Sequence, residues 1–112
     1  MEEDSGQLDE LDGSVFDLAD LIAYQDGSIV SRTLLDTSTT TLTAFAIDEN
    51  QRISEHSAPH TALLQVVDGT GAVTIDGDEY ELDAGEAILL PANEPHAVAA
   101  PTRFKMLLTM VR

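Results

Sequence analysis

The sequence predicts an all-β domain that closes into a sandwich or barrel. From Ser28 onward it consists of short runs rich in β-branched and apolar residues. Turn signals separate these runs at intervals of roughly eight to twelve residues, as in sandwiches and barrels. Only one short stretch has helical spacing. With 112 residues the chain is long enough for one core and too short for two.

The N-terminal part differs in composition from the rest. Residues 1–14 are mostly acid, glycine and serine, which predicts a flexible, disordered acidic tail ahead of a single barrel at residues 15–112. In the segment VFDLADLIAYQ, Phe16, Ala19 and Ile22 recur at helical spacing. This predicts a short helix that packs against the barrel and ends before Asp26.

The strands follow in order. In the second one, TTTLTAFAID, Leu42, Ala44 and Ala46 alternate. Asp76-Gly77 supplies the positive φ angles of a type I′ hairpin turn. The remaining predicted strands lie in the runs SIVSRTLLD, ISEHSAPHTALLQVVDG, TGAVTIDGDEYEL, EAILLP, HAVAA and RFKMLLTMV.

The charge balance excludes several classes of partner. Twenty-one acidic residues face five basic ones, for a formal charge of −16. Such a chain repels phosphate backbones and anionic membranes, so we expect no nucleic-acid and no membrane partner. Acids spread along the whole chain favour adaptation to high salt over an ordinary solvated acidic surface. The sequence contains no cysteine and no bilayer-length apolar run, and a cytoplasmic location is expected.

Two motifs resemble the cupin family of small jelly-roll β-barrels. In GEAILLPANEPH, which ends at His96, a glycine is followed after five residues by a proline and then by a turn residue, Asn93, where cupins usually have glycine. The other motif has Asn50 at its opening glycine position, continues with His56 and ends at Gly69. The chain is also similar to a subgroup of small single-domain cupins without assigned activity.

The resemblance implies a degenerate metal site. Metal-binding cupins carry ligands at positions that here hold His56, Ala58, Ala62 and His96, so two of the four ligands are replaced by methyl groups. His60 lies an even number of residues from His56. On an unbroken strand, without a bulge at Pro59, both would face the interior. A set of His56, His60 and His96 would suit one divalent transition metal, namely zinc, iron, nickel or copper.

The alternative is a pocket without metal, with His56 and His96 at one end. Its predicted apolar walls are Leu64, Val66, Leu90, Phe104, Met106 and Leu108.

Three functions stay open from the sequence. They are recognition of a small molecule, metal-dependent oxygenase or isomerase chemistry, and a structural role as a dimerising barrel. A homodimer is expected because the strands are apolar on both faces. Leu63 and Val67 alternate with pocket residues on one strand, and Leu107 and Val111 do so on the last strand.

Overall fold

A computed structural model of the protein describes residues 11–112, and the predicted all-β fold is confirmed. Most of the predicted acidic tail, residues 1–10, lies outside the described residues. The eight strands are β1 (Ile29–Asp36), β2 (Thr40–Ile47), β3 (Arg52–His56), β4 (Thr61–Ile75), β5 (Asp78–Asp83), β6 (Ala87–Leu90), β7 (His96–Ala99) and β8 (Phe104–Val111).

The strands form two antiparallel layers that share one long strand. In the first layer, sheet A, the order is β1-β2-β8-β4-β6. In the second layer, sheet B, the order is β5-β4-β7-β3. The first half of β4 pairs in sheet A and its second half pairs in sheet B, so β4 connects the two layers along one side. This is the jelly-roll arrangement that the sequence predicted.

Two glycines allow β4 to pass from one layer to the other. Gly69 has φ of 73°, and a Cβ there would collide with the carbonyl oxygen of Arg103. A Cβ at Gly71 would lie 2.6 Å from Cε2 of Phe104. The Phe104 ring therefore packs directly on the backbone of β4 where the two layers meet. The barrel is closed at this end.

The N-terminal segment crosses the outside of sheet A without forming the predicted helix. Among residues 15–25, where the helix was predicted, one 3₁₀ turn is present, Leu18–Asp20, and none of its residues is buried. Isolated helices this short are marginal, and tertiary contacts decide the conformation here. The carbonyl of Ala19 accepts from Nζ of Lys105, and that of Leu21 accepts from Nη1 of Arg32 at 3.0 Å. The side chain of Leu21 is the buried anchor; of the residues predicted from helical spacing, Ile22 is half-buried in the same cluster and Phe16 is exposed.

The predicted turn residues adopt the conformations expected of them. Asn50 and Asn93 have φ of 71° and 69°. Asp76 and Gly77 both have positive φ, as a type I′ turn requires. Within residues 11–112, no helix has the length and apolar character needed to cross a bilayer.

Candidate functional site

The two layers diverge away from the Phe104 end and leave the barrel open opposite it. Burial along the inner face of β8 shows this, since Phe104 and Met106 are fully buried while Leu108 and Met110 are only half-buried. On β2, Ile47 is buried and Phe45 is half-buried. We call the open end the mouth.

Three apolar side chains beyond the predicted pocket walls also face the interior, with Phe45 opposite Met106 and with Ile75 and Met110 toward the mouth. Phe45, Ile75 and Met110 are half-buried and pack against the main core cluster. Phe45 was missed because the alternation recognised on β2 was that of Leu42 and Ala44, which belongs to the outer face. The start of β2 is rich in threonine, so its inward-facing positions show no apolar alternation in the sequence.

The predicted pocket walls all belong to the interior, with different depths. Val66, Phe104 and Met106 are buried at the closed end, where they serve as core. Leu64 is buried in the same cluster and lies opposite Leu108. Leu90 is buried beside Ala62 on the neighbouring strand. Leu108 is half-buried, toward the mouth.

His56 and His96 meet at the mouth. They are paired across β3 and β7, and their ring centroids lie 4.4 Å apart with an interplanar angle of 70°. His96 also pairs with Ile75, the last residue of β4. His96 is 8% exposed, while His56 is open to solvent. The pair therefore has one buried and one accessible imidazole.

A bulge in β3 brings His56 onto the face of the sheet that His96 occupies. Ile53 pairs with Val98, and the next pairing joins His56 to His96, so β3 contains one extra residue between these two pairings. His56 follows the inward-facing Ile53 by three residues, so on a regular strand its side chain would point outward. Bulges commonly redirect side chains in this way next to functional sites.

Backbone carbonyls orient both rings in the same manner. Nδ1 of His56 lies 2.9 Å from the carbonyl oxygen of Ser54, and Nδ1 of His96 lies 3.2 Å from that of Glu94. A carbonyl oxygen only accepts, so in each ring Nδ1 carries the proton and donates. An imidazole that is neutral with Nδ1 protonated presents Nε2 as an acceptor.

His96 is held in its neutral form. Burial lowers the pKa of His96 below its usual value of 6.5, and the neighbouring charge of His56 lowers it further. The hydrogen bond to the carbonyl of Glu94 opposes these two effects in part. At neutral pH the buried member of the pair is an uncharged acceptor.

Within the described part of the chain, His60 forms no metal-holding group with His56 and His96. β3 ends at His56, and residues 57–60 form a bend that leads from sheet B to sheet A. The amide of Asn93 in the β6–β7 loop donates to the carbonyl of Ala58 at 2.7 Å, which fixes this bend as one rim of the mouth. The three-histidine prediction required an unbroken strand from His56 to His60, and that condition is not met.

The donor set at the mouth does not fit a resident metal ion. Among residues 11–112, no group of three or more His, Cys, Asp or Glu side chains is placed to hold a metal. The two alanines at ligand positions, Ala58 and Ala62, supply only methyl groups. Two imidazoles alone leave a tetrahedral site half empty.

The grooves on the outside of the barrel are separate from the histidine pair. One groove of about 530 Å³ lies between the N-terminal segment, at Phe16 and Leu18, and the β5–β6 turn, at Glu86. Two others lie on the outer face of sheet B, on either side of Arg52. Neither His56 nor His96 lines any of these three grooves.

Comparison with solved structures gives close matches. A conserved protein of unknown function from Streptococcus pyogenes has a TM-score of 0.85 and 34% identity, and the match covers 89% of this chain and 88% of that one. A cupin 2 conserved barrel domain protein from Leptotrichia buccalis has a TM-score of 0.83 and 40% identity, covering 87% of this chain. This chain spans only 47% of that longer protein.

More distant structures share the fold alone. A salicylate 1,2-dioxygenase from Pseudoaminobacter salicylatoxidans has 17% identity and a TM-score of 0.70, over 74% of this chain and 25% of that one. No protein with a curated description gives a significant match. The family model described as "Cupin domain" matches residues 44–112, which include both histidines of the mouth and the strands that carry them. The chain therefore belongs to the cupin family.

Proposed function

We propose that this protein is a small-molecule-binding cupin that works without a resident metal. A largely apolar molecule enters the mouth and is held against His56 and His96, which act as polar anchors. The observation that carries the proposal is the pairing of two imidazoles, 4.4 Å apart, whose Nδ1 atoms are both bound to backbone carbonyls. Because the tautomer of each ring is fixed, each Nε2 is a hydrogen-bond acceptor at a defined position, and such positioned acceptors select among ligands.

The surroundings of the pair support binding rather than a purely structural role. An imidazole that served only as core would have no reason to face the open end. His56 is exposed there, and it faces the same side as His96 only because β3 contains a bulge that a regular strand would lack. Bulges disrupt the strand ladder locally, and they persist in families where they position a side chain.

The metal-dependent alternative needs a third protein ligand. His60 would have to leave the bend that the Asn93–Ala58 hydrogen bond fixes. A metal held by two imidazoles alone would be labile, and removal of either imidazole would abolish the site.

Metal stoichiometry separates these two functions. Protein purified without an affinity tag is exposed equally to zinc, nickel, iron(II) and copper, dialysed, and analysed for bound metal. We expect well under one metal per chain in the wild type, and no further loss in His56→Ala, His96→Ala or His60→Ala. Full occupancy that depends on His56 and His96 would refute metal-independent binding and restore the metalloenzyme.

Ligand binding is tested separately, by following the ¹³C chemical shifts of the methyl groups of the three methionines during titration with small apolar compounds. Met110, at the mouth, should respond, and Met106, at the closed end, should respond less. Equal or absent responses at both would contradict a binding mouth.

A further inference from the structure

We propose that the mouth recognises an uncharged, largely apolar ring compound through two neighbouring hydroxyl groups that donate to Nε2 of His56 and Nε2 of His96. This inference rests on the proposed function and specifies its ligand class. It differs from binding through a metal, because both contacts are made by the imidazoles themselves.

The hydrogen-bonding roles of the two rings require a ligand that donates. Nδ1 of each ring is committed to a carbonyl, of Ser54 and of Glu94, so only Nε2 is available to a ligand. In a neutral imidazole with Nδ1 protonated, Nε2 can accept and cannot donate. A ligand group without protons, such as a carboxylate, would face two lone pairs. A pair of hydroxyl groups matches them.

The spacing of the pair suits one small molecule. The centroids of the two rings are 4.4 Å apart with planes at 70°, so both imidazoles lie close enough together to contact one small molecule. A single hydroxyl would leave one buried acceptor, on His96, without a partner. Leaving a buried polar group unpaired is unfavourable, and it discriminates against such ligands.

The charge of the protein acts in the same direction. A chain with a formal charge of −16 repels anions at long range. Burial holds His96 uncharged at neutral pH. A carboxylate or phosphate ligand would thus enter a negative field and would find no positive charge on His96.

The apolar part of the ligand is set by the other side chains of the mouth. Ile75, Leu108 and Met110 are half-buried there, and Phe45 is half-buried deeper in the barrel, opposite Met106, so a ring can remove their remaining surface from water. The methionine sulfur and the phenylalanine ring both favour contact with an aromatic ring. A sugar would offer the hydroxyl pair but would place polar groups against these walls.

The test compares three ring compounds that differ only in their polar groups. 1,2-Dihydroxybenzene, 1,2-dimethoxybenzene and benzoate are titrated into the full chain with EDTA present, at about pH 7.5, where imidazole and phenol are both mainly neutral. Binding is followed by the imidazole ¹⁵N and the Met110 methyl signals. We expect the diol to bind about tenfold or more tightly than either other compound, since each hydrogen bond contributes on the order of a tenfold factor.

Variants locate the contact. His56→Ala, at an exposed position that tolerates truncation, should weaken diol binding about tenfold and leave 1,2-dimethoxybenzene binding unchanged. His60→Ala is the matched control and should leave both unchanged. If the dimethoxy compound or benzoate binds as tightly as the diol, the ligand class is wrong while the proposed function stands. If no ring compound moves the Met110 or imidazole signals, both are refuted. Diol binding that appears in a parallel titration without EDTA and is absent with EDTA would also overturn the inference, because a metal would then carry it.

Discussion

The contact between Gly71 and Phe104 should control the stability of the closed end of the barrel. In Gly71→Ala the new Cβ would lie 2.6 Å from Cε2 of Phe104 and 2.9 Å from both Cδ2 and Cζ. These distances are well inside normal van der Waals contact, and Phe104 is fully buried, so its ring cannot turn into solvent. The ring and the backbone of β4 must move apart.

The size of the effect follows from two opposing terms. Overpacking a buried site costs roughly 1–3 kcal/mol, and replacing glycine by alanine returns about 0.4–1 kcal/mol through the unfolded chain. We therefore expect Gly71→Ala to lower the free energy of unfolding by about 1–2 kcal/mol. The melting temperature should fall by roughly 4–8 °C for a domain of this size. Gly71 has no positive φ, so backbone strain adds nothing.

A double-mutant cycle shows whether the ring is the cause. Phe104→Leu alone should be destabilising because it leaves a cavity, and adding Gly71→Ala to it should cost little more. Urea unfolding of the four proteins, followed by far-ultraviolet circular dichroism, gives the coupling energy. We expect Gly71→Ala to cost about 1 kcal/mol or more extra when the Phe104 ring is present than when it is absent. If Gly71→Ala costs the same with and without the Phe104 ring, the proposed packing of the closed end is incorrect.

Three further predictions concern pH, salt and assembly. The pKa of His96 in the folded protein lies below 6.5, so as pH falls the unfolded chain takes up this proton first. The stability that His96 contributes is therefore complete above pH 6.5 and is lost as pH falls through the lower folded pKa. Plots of unfolding free energy against pH for wild type and His96→Gln should diverge in that range, and parallel plots would contradict the prediction. With a formal charge of −16, the melting temperature should rise from dilute buffer to about 1 M potassium chloride, and a flat or falling trend would refute adaptation to salt. Leu89 and Val111, 61% and 56% exposed on sheet A, should lie in a two-fold dimer interface. Light scattering in high salt should give twice the chain mass, Leu89→Asp should lower it, and a monomeric wild type would refute the dimer.

The fold could be predicted from the sequence because its signals are local. Alternation of apolar residues and turn residues such as Asn93 and Asp76 act within a few positions, and the structure confirms them. The N-terminal helix was overestimated because its spacing competes with tertiary contacts. Arg32 and Lys105, distant in sequence, bind the carbonyls of that segment.

The geometry of the site was less predictable because it depends on strand irregularities. Counting parity from His56 to His60 assumed one continuous strand, whereas the strand ends at His56. The bulge after Ile53, which turns His56 inward, leaves no signature in the residue types. The pairing of His56 with His96 was anticipated from the family motifs, and the backbone partners of their Nδ1 atoms required coordinates.

The protonation of the two imidazoles tests the central claim most directly. Long-range ¹H–¹⁵N correlation spectra of uniformly labelled protein, at about pH 8, report which ring nitrogen carries the proton in each neutral histidine. We expect protonated Nδ1 and unprotonated Nε2 in both His56 and His96, with spectra that do not change when EDTA is added. A protonated Nε2 in either ring, or signals that shift on removal of metal, would contradict a metal-independent pair of acceptors.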